Sequence, residues 1–180
     1  MFGFLRQNSR RGAIDTLYGR IAAASREPSL YLALGVPDTL EGRFESLVLH
    51  VVLVLRRLRR LPAPADEASQ DLVDALFRQL DRSMRELGVG DFGVPKRMKK
   101  LAQAFYGRAA RYDPALDAGD AAALAVALGQ SLFDGTRPAP ALARYALAAE
   151  AALAGLGLDA LFREGPAFPP PGGFAEGGTP

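Results

Sequence analysis

Apolar residues recur along the chain with the spacing of amphipathic helices. A first helix is predicted over about residues 11–25, where Ile14, Leu17, Tyr18 and Ile21 occupy positions i, i+3, i+4 and i+7. Further helices are predicted over about residues 28–34, 38–61, 66–87, 95–112, 120–133 and 138–156. Because no strand pair or hairpin signal interrupts this pattern, the predicted fold class is all-α, a single-domain bundle of about six to seven helices.

The helix predicted over residues 38–61 is the central buried helix of this bundle. Residues 47–55 are apolar on every face apart from His50, so no face of the helix is suited to water. Asp38 and Glu41 have the spacing of a capping box at its start, and Pro62 ends it. Nine helical residues rise about 13 Å, which is too short for a bilayer core of about 30 Å.

The two ends of the chain differ in composition from the helical part. We expect residues 1–10 to form a flexible basic N-terminus, residues 11–164 the helical domain, and residues 165–180 an extended Pro/Gly-rich tail. The first arginine, Arg6, follows the short apolar start instead of preceding it, which is the reverse of a secretory signal. The predicted localisation is therefore cytoplasmic, and contact with the cytoplasmic face of the inner membrane is left open.

Composition excludes several kinds of chemistry. The 180-residue chain has no cysteine, so disulfides, thiolate zinc sites, iron–sulfur clusters and cysteine nucleophiles are excluded. A single histidine excludes sites with two or three histidine ligands, and no Glu-x-x-His pair occurs. We therefore expect no cofactor, no metal and no catalytic residues, and neither DNA nor a small molecule as a binding partner.

Gly88, Gly90 and Gly93 spell the G-x-G-x-x-G pattern of dinucleotide-binding loops, and Asp113 lies 20 residues further on. That motif requires a strand to enter the loop, whereas a helix is predicted here. Gly88 is better explained as the glycine that ends a helix with positive φ, and Asp113-Pro114 as the end of the following helix.

His50 is the one imidazole on which a serine hydrolase or a pH switch could be built. Ser46 lies four residues before it on the same helix face, but the neighbouring acid Glu45 points about 100° away. The preferred interpretation is a core histidine whose ring is hydrogen-bonded to a backbone or side-chain group.

The helix predicted over residues 95–112 carries cations and no acid. Its uncompensated charge suggests a docking surface for an anionic partner, whereas the alternative is a solvated face paired with acids of the 66–81 stretch. A second basic group, residues 56–60, is interpreted as a helix C-terminal cap. The predicted partner-binding residues are Lys96, Arg97, Met98, Lys99, Lys100, Tyr106, Arg108 and Arg111, with the preceding loop residues Gly88, Gly90, Asp91, Gly93 and Pro95.

Two segments carry a resemblance to a known family. These are residues 34–58, beginning Leu-Gly-Val-Pro-Asp-Thr-Leu-Glu-Gly-Arg-Phe-Glu, and residues 81–108, which include Val-Pro-Lys-Arg-Met-Lys-Lys and Ala-Phe-Tyr-Gly-Arg. Over about residues 11–165 the chain resembles the ubiquinol–cytochrome c chaperone family, the assembly factors of respiratory complex III. The targeting extension of the mitochondrial members is missing, so the chain looks like a bacterial member.

The resemblance implies a non-enzymatic helical chaperone that binds newly made cytochrome b, or another complex III subunit, near the inner membrane. Contact with the ribosome, known for mitochondrial members, is left open. The 95–112 helix and its loop would form the client surface, and Asp38, Glu41, Arg43 and Phe44 would support it by fixing the central helix. The alternative function is an RNA- or ribosome-binding protein that uses the same basic helix against phosphates.

Overall fold

The computed structural model describes residues 2–86, 88, 90 and 93–175, with the side chains described from residue 10 onward. None of these residues forms a strand, and the all-α fold class is confirmed. The helices are α1 (Phe2–Ala24), α2 (Pro28–Leu32), α3 (Leu40–Arg59), α4 (Ala65–Glu86), α5 (Val94–Ala118), α6 (Ala121–Leu132), α7 (Pro140–Ala154) and α8 (Leu158–Arg163), followed by a 3₁₀ turn over Pro171–Phe174.

Helix α3 lies at the centre and packs against α1, α4, α5, α6 and α7. Over residues 45–56 its side chains are buried on every face, as the sequence predicts for the apolar run within this stretch. The capping prediction is wrong by one residue: the Thr39 hydroxyl oxygen, not the Asp38 carboxylate, accepts from the Gly42 N–H at 3.0 Å. Thr39 has the extended backbone that an N-cap requires, whereas Asp38 accepts a hydrogen bond from Arg43 at 2.8 Å.

His50 is fully buried on α3 and has a partner at each ring nitrogen. Its Nδ1 lies 2.7 Å from the Ser46 carbonyl oxygen, which can only accept, so Nδ1 carries the proton. Nε2 then accepts from the Tyr145 hydroxyl of α7, also at 2.7 Å. Burial lowers the pKa of His50 to about 4. The hydrogen bond to the Ser46 carbonyl acts in the opposite direction, because it favours the protonated ring, but its effect is smaller. The preferred interpretation as a hydrogen-bonded core histidine is confirmed.

Arg56 is a buried ion-pair centre and not only a helix cap, so that part of the interpretation of residues 56–60 is wrong. Only 5% of its side chain is exposed. Its guanidinium donates to Asp113 and Asp117 of α5, both at 2.6 Å, and to Glu150 of α7 at 2.9 Å. Burial opposes the charge, but these hydrogen bonds raise the pKa of Arg56 above the usual arginine value. Arg56 thus joins three helices.

Two helix boundaries differ from the prediction. Helix α1 begins at Phe2, so the backbone of residues 2–10 continues the first helix. Helix α5 does not stop at Asp113-Pro114 but runs on to Ala118, with Pro114 inside it. We attribute this to tertiary contacts, because Tyr112, Ala115 and Leu116 are buried around the proline and Arg56 holds the adjacent carboxylates.

Residues 165–175 pack on the bundle, although they were expected to form an extended tail. The Phe168 ring meets His50 edge-on, with ring centroids 4.9 Å apart, and the Phe174 ring meets Tyr145 at 5.8 Å. Pro171 is buried, and Arg144 donates to the Phe174 carbonyl at 3.1 Å. The described part of this segment therefore covers the His50–Tyr145 pair.

We predict that His50 makes the protein less stable in acid. Because its pKa is lowered in the folded state, the unfolded chain takes up the proton first, and stability falls as the pH drops from 6.5 to 4. The expected loss is about 3 kcal/mol in the free energy of unfolding, measured by urea denaturation at each pH. In the control His50→Leu/Tyr145→Phe, which removes the ring and its donor together, this fall should be smaller by that amount. Equal pH profiles would contradict the assignment.

We predict that Arg56→Met destabilises the protein by about 3 kcal/mol, because it removes the buried cation that Asp113, Asp117 and Glu150 share and leaves beside them only the half-exposed Arg59 and Arg60. Arg59→Met is the matched control. Arg59 belongs to the same basic group, but its side chain is 52% exposed and lies 3.6 Å from Asp113, so we expect a change of about 1 kcal/mol or less. Equal losses in chemical denaturation would show that Arg56 is not the centre of the ion-pair network.

Candidate partner-binding site

Three of the predicted loop residues, Gly90, Gly93 and Pro95, take part in the start of α5. Gly88 has a φ of +80°, which confirms its role after the end of α4. The Gly93 N–H donates to the Gly90 carbonyl at 2.8 Å, and Gly93 forms the N-cap without any side-chain hydrogen bond. Pro95 occupies the first turn, where its missing N–H costs nothing. Asp91 lies outside the described residues.

Helix α5 is divided into an outer and an inner half. Over residues 94–104 only Val94 is buried, whereas five residues between 105 and 116 are buried against the bundle. Four cations of the outer half are exposed, and none of them forms an ion pair with a described residue. We call these four residues, Lys96, Arg97, Lys99 and Lys100, the α5 basic face.

Arg108 does not belong to this free surface, and the expectation that it stands unpaired is wrong. Its Nε and Nη2 atoms donate to the carboxylate oxygens of Glu45 on α3, at 2.7–3.0 Å. Glu45 is only 6% exposed. The hydrogen bonds to Glu45 raise the pKa of Arg108 against desolvation. Arg108 therefore holds the inner half of α5 on the central helix.

The other predicted residues of α5 have different surroundings. Arg111 is exposed and donates to the Ser131 hydroxyl of α6 at 3.1 Å. Tyr106 is 54% exposed, and its ring stacks edge-on against buried Phe105 at 5.2 Å. Met98 is half-buried. Tyr106 is therefore an exposed aromatic on the same helix as the α5 basic face.

The predicted supporting residues lie at the start of α3. Arg43 pairs with Asp38 at 2.8 Å, Glu41 is an exposed acid of the first turn, and Phe44 packs partly buried against the core. The side chain that links this segment to α5 is Glu45, which the site prediction missed. The available signal was a carboxylate at the edge of the apolar run, because such a group needs a cation when buried.

The acids of α4 do not neutralise the α5 basic face. Asp71 and Glu67 pair with Arg10 of α1, and Asp81 pairs with Arg85 of the same helix. The alternative interpretation, in which acids of residues 66–81 pair with the cations of α5, is therefore not supported by the described residues.

The dinucleotide pattern has no structural support. Helix α4 enters the loop and helix α5 leaves it, with no strand among the described residues to present a pyrophosphate. Asp113, at the position of the ribose-binding acid, is held by Arg56 and Arg59 instead.

The described residues form an all-helical bundle with an exposed, positively charged helix face. The ubiquinol–cytochrome C chaperone family profile matches residues 32–168. The chain therefore belongs to this family of chaperones, as its resemblance predicts. Its fold is similar to the crystal structure of the Cbp3 homolog from Brucella abortus, with a TM-score of 0.76 and 41% identity over 88% of this chain and 90% of that one. No match is found among curated proteins.

No helix in the described part of the chain is both long enough and apolar enough to cross a bilayer.

We predict opposite stability effects for charge reversal in the two halves of α5. Lys96→Glu/Arg97→Glu should raise the free energy of unfolding by about 0.5 kcal/mol or more, because acids in the first turn complement the helix dipole. Arg108→Glu should lower it by about 3 kcal/mol, because two carboxylates would then face each other beside the core. Urea denaturation measures both. A comparable loss in the first variant would show that its cations are packed against the protein.

Proposed function

We propose that the protein is a complex III assembly chaperone that binds newly made cytochrome b through the α5 basic face. The observation that carries this proposal is that Lys96, Arg97, Lys99 and Lys100 are exposed and have no ion-pair partner among the described residues. The family supports the coarser function, the assembly of ubiquinol–cytochrome c reductase.

The position of these cations favours a binding role over a structural one. Two of them, Lys96 and Arg97, lie in the first turn of α5, where the helix dipole already presents positive charge. They therefore cost helix stability and form no ion pair with a described residue in return. Cations that lower the stability of their own helix are explained if an anionic group of a partner binds them and offsets that cost.

The inner half of α5 fixes the direction of this surface. The Glu45–Arg108 pair and the Arg56 network both attach it to α3, so the outer half projects from a rigid base. A preorganised surface loses less conformational entropy on binding than a mobile one. We place the complex at the cytoplasmic face of the inner membrane, where a membrane-inserted client is met.

We predict that Arg97→Glu/Lys100→Glu abolishes complex III accumulation while the protein stays folded. The test uses a strain that lacks its own copy of this chain and expresses either the variant or the wild type. The readouts are the cytochrome b absorbance of membranes and the amount of assembled complex on native gels. Helicity by circular dichroism should be unchanged, because both side chains are exposed.

The matched control is Arg82→Glu/Arg163→Glu, which makes the same change in net charge at exposed positions on α4 and α8. We expect normal assembly with this control. Normal assembly with Arg97→Glu/Lys100→Glu would contradict the site, and equal loss with both variants would indicate a general charge effect.

RNA binding, the alternative use of the same cations, is tested separately. Among the aromatics beside the α5 basic face, Tyr106 is exposed and Phe105 is buried, which gives little stacking surface for bases. A gel shift at low salt should show no retained RNA. Retention that weakens by about 0.7 log unit per log unit of salt for each contacted phosphate would favour the RNA function instead.

A further inference from the structure

Two leucines near α2 are exposed to water. Leu32, the last residue of α2, is 87% exposed, and Leu40, at the start of α3, is 69% exposed. They are the most exposed large apolar side chains among the described residues. Single exposed apolar residues need no explanation, but these two flank one short connection, and Leu32 lines concave surface.

Leu32 contributes to the walls of two clefts. One, of about 410 Å³, has walls formed by Phe133, Pro138 and Pro140. The other, of about 360 Å³, is lined by Pro28 and Tyr31. Because Leu32 lines both clefts, an exposed apolar side chain adjoins two concavities large enough to hold partner side chains. We call Leu32, Leu40 and the two clefts the α2 surface.

The walls of the α2 surface are held rigidly. A Cβ atom on Gly42 would overlap the Pro37 carbonyl, and one on Gly129 would overlap the Arg137 carbonyl. The connection over residues 33–39 therefore contacts the backbone of α3 directly, and the connection over residues 133–139 contacts the backbone of α6. The Ala139 N–H also donates to the Ala125 carbonyl at 2.9 Å. Concave surface on rigid backbone loses little entropy when a partner fills it.

The charge of the α2 surface is positive. Asp38 is the acid among the residues that line the clefts, and Arg43 neutralises it. Arg26, in one cleft, and Arg137, in the other, form no ion pair with a described residue. The Arg137 guanidinium instead stacks over the Phe133 ring at 3.7 Å. A complementary partner would bring apolar side chains flanked by carboxylates.

We propose that the α2 surface binds an acidic amphipathic helix of a partner protein. Side chains at positions i and i+3 or i+4 of a helix lie about 5–6 Å apart, so neighbouring residues of one helix can lie on both sides of Leu32. Carboxylates on its flanks would meet Arg26 and Arg137. A second copy of this chain is disfavoured, since a symmetric contact would bring these arginines against each other.

The test begins with p-benzoylphenylalanine placed at position 32 in the full-length chain in cells, with position 126 as the control. Val126 is 55% exposed and lies on α6. After irradiation, mass spectrometry identifies the crosslinked peptide. We expect position 32, and not position 126, to crosslink to a helical segment that carries both large aliphatic and acidic residues.

The second step measures affinity with that segment as a synthetic, fluorescently labelled peptide and the purified full-length chain. Arg26→Glu/Arg137→Glu and Leu32→Ala should each weaken binding about tenfold or more, as expected for anchors of an interface. Replacing the peptide's acids by lysine should restore binding to the arginine variant. All substituted residues are exposed, so circular dichroism should stay unchanged.

Four results would overturn the proposal: no crosslink from position 32, a crosslink to lipid, a crosslink to another copy of this chain, or a segment without acids. The proposal is independent of the function of the α5 basic face. With Arg97→Glu/Lys100→Glu the crosslink from position 32 should persist, so the failure of one proposal is distinguishable from that of the other.

Discussion

The burial of residues 45–56 of α3 on all faces is the constraint on which the rest of the structure depends. A helical stretch without a solvent-exposed face must find a partner inside the protein for each polar side chain it carries. Three such residues do so in different directions: Glu45 binds α5, His50 binds α7, and Arg56 binds both. Because each contact is directional, the three together fix the rotation and register of the helices around α3.

This constraint also explains why α5 has two different halves. Its inner half supplies Arg108, Asp113 and Asp117 to the polar residues of α3 and is packed accordingly. Its outer half lies beyond these contacts, and there the chain keeps cations that the helix dipole disfavours. The rigid support and the free charge are thus consequences of one helix passing from the core to the surface.

The fold was more predictable than the site because its signals are local. The apolar run of α3, the positive φ of Gly88 and the start of α6 near residue 120 all follow from neighbouring residues. The pairing of Arg108 with Glu45 joins residues 63 apart, and a single sequence gives no signal for which cation meets which acid. Pro114 shows the same limit: a local stop signal is overridden by packing that is visible only in three dimensions.

The segment that covers His50 comes late in the chain, whereas α3 comes early. Until residues 165–175 dock on the bundle, one side of the histidine stays open to water. Once α7 has docked on α3, only the short connection through α8 separates it from this segment, so closing the contact then costs little loop entropy. The docking of α7 therefore prepares the site on which its own C-terminal extension folds.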